Sequence, residues 1–111
     1  MIEFAYRCTT SDTKIVEKIL DDERVAINHI VLAPGESVPT HVSNSYVYQI
    51  VVRGDLCLSL EDEECHYHPA GSIVAVPFNK KMSIQNRGTD TLEFFVVKSP
   101  NPRDMPAPKP L

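Results

Sequence analysis

A chain of 111 residues and 12.4 kDa has room for one core and therefore one domain. Its 42% hydrophobic and 23% charged residues mark a folded globular chain, and no run of about 18 apolar residues is present to cross a membrane. Eleven Lys/Arg set against fifteen Asp/Glu, net charge −4, are scattered, and Lys80-Lys81 is the one adjacent basic pair, so the dense positive surface that nucleic acid requires is missing.

The start, Met1-Ile2-Glu3-Phe4-Ala5-Tyr6-Arg7, has no basic stretch ahead of an apolar core, and the expectation is a cytoplasmic protein. In Lys14–Leu20, residues Ile15, Val16, Ile19 and Leu20 fit a helical face that Ser11 could cap. The β-branched content and the Asp21-Asp22-Glu23-Arg24 turn fit a strand equally, and the strand is slightly favoured. Beyond it, Val25–Ala33, Tyr46–Val52, Leu56–Leu60, Ile73–Val76, Met82–Gln85 and Leu92–Val97 are short, β-branched and aromatic, which predicts strands. Gly35, Gly54, Gly71 and Gly88 punctuate them inside turn-like clusters, where glycine supplies a positive φ. Many short strands at regular spacing imply an all-β sandwich or closed barrel.

The acidic run Glu61-Asp62-Glu63-Glu64 reads as a solvated, unperturbed hairpin tip. Cys8, Cys57 and Cys65 form no C-x-x-C, and Cys57 and Cys65 read as small reduced thiols on paired strands. The barrel domain is assigned to residues 1–99, including an N-terminal strand or arm. Residues 100–111 hold five prolines and predict an extended tail lying on the surface or disordered.

Two stretches carry a family pattern. Gly35, His41, Ser43, Val47 and Gly54 fall at the marked positions of G-x5-H-x-H-x3-E-x6-G; Gly71, Pro77, Asn79, Met82 and Asn86 fall at those of G-x5-P-x-G-x2-H-x3-N. The chain thereby resembles the cupin family, and the resemblance implies a small antiparallel jelly-roll barrel. It also implies a metal held by two histidines and a carboxylate of the first motif and a histidine of the second. Here only His41 is kept: Ser43 is a poor neutral ligand, Val47 offers no donor, and the Met82 thioether suits soft ions. The expectation is a cupin with its usual metal site dismantled, with neither metal nor cofactor.

Alternation places Gln49 on the inward face with Val47 and Val51, while Tyr46 and Tyr48 face away. His66 and His68 share one strand face, inward if the preceding hairpin tip is three residues long. His29 reads as an ordinary sheet residue. No nucleophile–base arrangement and no glycine-rich phosphate loop is recognisable. The leading expectation is a small-molecule-binding cupin whose cavity ligand meets His41, Ser43, Gln49, Val47, Met82, His66 and His68. One alternative is a metal-dependent isomerase or dioxygenase using displaced ligands His41, His66 and His68; another is a filled barrel acting as a structural or interaction domain. Apolar residues on both faces of Val25–Ala33 and Leu92–Val97 call for cover by the N-terminal strand or by a second subunit, and a homodimer is expected.

Overall fold

The computed structural model describes residues 2–111, and its regular elements are nine strands and one short 3-10 turn, with no α-helix among the described residues. In chain order the strands are β1 Ile15–Asp21, β2 Ala26–Leu32, β3 Ser37–Val42, β4 Tyr46–Arg53, β5 Asp55–Leu60, β6 His66–Pro69, β7 Ile73–Val76, β8 Lys81–Gln85 and β9 Leu92–Ser99. They form two antiparallel sheets, ordered β1-β2-β9-β4-β7 and β3-β8-β5-β6. The core lies between them: Ile30, Leu32, Val47, Val51, Phe94 and Val96 from the first sheet meet Leu56, Leu58, Met82 and Ile84 from the second. β4 shows the period-two logic, burying Val47, Gln49 and Val51 while exposing Tyr46, Tyr48, Ile50 and Val52. Among the described residues no helix is long and apolar enough to cross a membrane.

The ambiguous N-terminal segment is a strand, β1, paired with β2 along its whole length. β3 escaped prediction because Pro39 cannot donate to a ladder. It is tolerated because β3 is a sheet edge and Pro39 lies where the pairing to β8 shifts, between Val38 and His41. That irregularity returns His41 to the face of Val38: Val38 sits opposite Ile84 and His41 opposite Met82.

Gly35, Gly54 and Gly71 have positive φ as predicted, but Gly88 does not. Asn79, standing at a motif glycine, keeps the left-handed backbone at φ 60°, a conformation asparagine tolerates. At the acidic tip, Glu61 and Asp62 also have positive φ. Glu61 is not unperturbed. It accepts the Lys81 amide at 3.2 Å and lies 3.5 Å from Lys109 Nζ, and these hold its carboxyl below the ordinary range.

One further expectation is corrected. Cys57 and Cys65 are joined as a disulfide, with Cα atoms 5.5 Å apart: the β5–β6 register sets Cys57 opposite Tyr67, and Cys65, two residues before Tyr67, is its diagonal neighbour. The tail is pinned at its root. Buried Asn101 donates from Nδ2 to Asp21 Oδ1 (2.5 Å) and to the Asp22 carbonyl (2.7 Å), and it caps a 3-10 turn at Pro102–Asp104. Asn44 Nδ2 donates to the carbonyls of Pro102 and Pro106, carrying the anchorage further along the tail.

Candidate functional site

Between the sheets opens a cleft of about 290 Å³, lined by Val16, Asn28, Ile30, Gln49, Val96 and Lys98 from the first sheet and by Val38, His41 and Ile84 from the second. Register explains the lining. Val16 lies opposite Ile30, so β1 presents Val16 to the face that Ile30 buries. Inward alternation on β9 runs Leu92, Phe94, Val96 and so reaches Lys98.

Polar groups are few in this wall and each is constrained. The His41 ring donates from Nδ1 to the Pro39 carbonyl at 3.1 Å, which places a proton on Nδ1 and leaves Nε2 as the nitrogen free to meet a ligand. Gln49 is wholly buried; its Nε2 donates to Met82 Sδ at 3.6 Å, and its Oε1 has no hydrogen-bond partner among the described residues. Burial, with Lys18 nearby, pushes the Lys98 ammonium below its ordinary pKa. The cleft is thus an apolar slot with a lysine, a histidine and a glutamine in its wall.

Of the residues singled out from the sequence, His41 and Gln49 line this cleft together. Val47 and Met82 are within the packed core. Ser43 is buried with its Oγ accepting the Ser45 amide at 3.3 Å. His66 and His68 do share the sheet face of Leu58 and Leu56, to which they pair, yet His66 is exposed, His68 half-buried, and neither reaches the cleft. The reason is that β6 is the outer edge of its sheet, so its inward side chains sit at the rim. The displaced His41, His66 and His68 ligand set is therefore not assembled.

Donors at the four family metal positions do not fit a metal either. Val47 has none, the Met82 thioether already accepts from Gln49, Ser43 is turned to a backbone amide, and His41 stands alone.

Sequence reasoning missed Lys98 and Asn28. The signal was present as parity: Asn28 lies two residues before inward Ile30, and Lys98 two after inward Val96. The sequence pattern ends the strand at Val97, two residues short of Ser99, because lysine breaks the apolar run.

Comparison with known proteins agrees with this architecture. A protein of Methanocaldococcus jannaschii, the uncharacterized protein MJ0764, is 53% identical over 110 residues, covering 98% of this chain and 95% of its own. The crystal structure of that RmlC-like cupin, with a double-stranded β-helix fold, superposes with a TM-score of 0.88 at 54% identity, over 93% of this chain and 95% of that one. An RmlC-like cupin from Desulfovibrio desulfuricans shares the fold alone, at 16% identity and a TM-score of 0.74, over 90% of this chain and 97% of its own. The family model described as cupin matches residues 6–110, and with the relative above it establishes that this chain belongs to the cupin family.

Proposed function

We propose that the protein binds a small, largely apolar molecule bearing one anionic group in the cleft between its sheets, without a metal of the usual cupin kind. The observation that carries this reading is Gln49, a residue of the cleft wall whose buried amide oxygen has no hydrogen-bond partner among the described residues. Burying such a group without a partner costs about 1–3 kcal/mol, and a ligand donor would recover it. Lys98 would face the anion, and a ligand carboxylate would offset the disfavour that burial imposes on its charged form. His41 Nε2 would accept a second ligand donor. The cleft itself speaks against a filled barrel.

The test is thermal unfolding and calorimetry with a set of small branched or aromatic hydroxy-monocarboxylic acids, whose hydroxyl can donate to Gln49 Oε1 while the carboxylate faces Lys98, and their neutral primary amides. Acids should raise Tm and the amides should not, and His41→Ala should weaken the best acid at least tenfold while the fold persists. Acids and amides binding alike, or His41→Ala leaving the affinity unchanged, would refute the reading.

A further inference from the structure

The outer face of the five-stranded sheet carries a second constellation, on the opposite side from the cleft. Register sets Glu17 opposite His29 and His29 opposite Phe95, and alternation puts Glu93 on the same face, opposite Arg53. The N-terminal segment is tied across this face. The Thr9 amide donates to Glu17 Oε1 at 3.0 Å, and Arg53 donates to the Ser11 carbonyl (2.5 Å), to Asp12 Oδ1 (2.7 Å) and to Glu93 Oε1 (2.9 Å). Cys8 is thereby carried over the sheet: its Sγ, a ring nitrogen of His29 and a carboxylate oxygen of Glu93 lie within 4.8 Å of one another.

His29 marks this cluster as unfinished. Its side chain is completely buried, and Nε2 donates to Glu93 Oε2 at 2.6 Å, while Nδ1 has no hydrogen-bond partner among the described residues. Nδ1 faces Glu17 Oε1 at 3.8 Å, beyond hydrogen-bond reach. A protein rarely leaves a buried ring nitrogen in that state unless something else uses the ring.

A thiol, an imidazole and a carboxylate form the donor set of a borderline divalent cation; magnesium and calcium would want oxygen ligands throughout. We propose that Cys8 Sγ, His29 Nε2 and Glu93 Oε2 bind one zinc ion, with Glu17 as the carboxylate behind the histidine. The ion takes the place of the proton between His29 and Glu93. That proton moves to Nδ1, Glu17 Oε1 closes from 3.8 Å by something under ~1 Å to accept its hydrogen bond, and the Cys8 thiol proton is released to solvent. The exchange supplies the partner Nδ1 lacks. Glu17 is placed for it by geometry: its Oε1 is held by the Thr9 amide at 3.0 Å and lies 3.8 Å from Nδ1. The His29–Glu93 separation has to open by about 1 Å to admit bonds of roughly 2.0–2.2 Å, and Arg53 can keep its hold on Glu93 Oε1. Zinc would then staple the N-terminal segment to the barrel.

The experiment uses untagged full-length protein, stripped with a chelator and reloaded with zinc alone or cobalt alone. The expected result is one zinc per chain by elemental analysis and a near-ultraviolet thiolate-to-cobalt charge-transfer band. Cys8→Ser alters an exposed residue and should fold; it should abolish the band and weaken zinc at least 100-fold against a chromophoric chelator. Glu93→Gln, close in shape, should weaken zinc at least tenfold, and His41→Ala should leave stoichiometry and affinity unchanged. Well below one zinc per chain, zinc affinity unaltered by Cys8→Ser, or zinc lost with His41→Ala would each overturn the proposal, the last by moving the ion into the cleft.

Discussion

Gln49→Leu should make this protein more stable and abolish the ligand binding proposed for the cleft. Gln49 is wholly buried, opposite Val74 on one side and Val96 on the other. Its Oε1 is unpartnered, which costs about 1–3 kcal/mol. Its Nε2 gains little from the 3.6 Å contact with Met82 Sδ, because a thioether is a weak acceptor. Leucine nearly matches the chain length, carries no polar atom and meets apolar neighbours, so the substitution removes the penalty without opening a large cavity. The net gain should be ~1–2 kcal/mol. For a domain of this size that raises Tm by roughly 4–8 °C. Circular dichroism melts and urea titrations of the two proteins measure it directly, and calorimetry with the monocarboxylic acids measures the accompanying loss of binding. A Tm at or below that of the parent would show Gln49 to be satisfied in the fold and would remove the main support for a ligand there.

Other outcomes follow from the same geometry. In Gly54→Ala, at φ +79°, the new methyl would collide with the Thr91 carbonyl and come within 2.9 Å of Leu92 Cα, both backbone. It should cost roughly 2–4 kcal/mol in urea, against ~1 kcal/mol for Gly71→Ala, whose positive φ is strained but whose surroundings are open; equal costs would refute the steric argument. Asp21 is held below its ordinary pKa by the Asn101 amide, and Asp22 by the amides of Val25 and Arg24. Their contribution is complete above the unfolded carboxylate value and is lost as pH falls through the lowered folded values. Tm should therefore decline with acidification below about pH 4, and Asn101→Ala should make that decline shallower. Finally, Tyr48, Ile50, Val52 and Ile73 leave an exposed apolar face on β4 and β7, and we propose that a second copy covers it. Light scattering should give twice the 12.4 kDa chain mass, and the chain mass itself would exclude the dimer.

Much of the architecture was legible because β-structure writes itself locally. The apolar alternation of β4 and the β-branched run of β7 are properties of adjacent residues, and β7 spans the same four residues that sequence patterning predicts. The joint spacing of Gly35, His41, Gly54, Gly71, Pro77 and Asn86 was equally readable, because those turns constrain the backbone whatever the site between them holds. The departures at Ser43, Val47 and Met82 already told against the family's metal.

What needed the tertiary structure was everything set by pairing between distant strands. β3 contains a proline and reads as a loop until its place at a sheet edge is known. His66 and His68 have the spacing of a ligand pair, and only the edge position of β6 sends them to the rim. The Cys57–Cys65 bridge depends on how β5 pairs beyond the acidic tip. Cys8, His29 and Glu93 lie in three separate stretches of chain, and Lys98 joins His41 only across the gap between two sheets. A sequence carries the period of a strand, but which strands become neighbours, and which charges then share a face, is decided by closing the barrel.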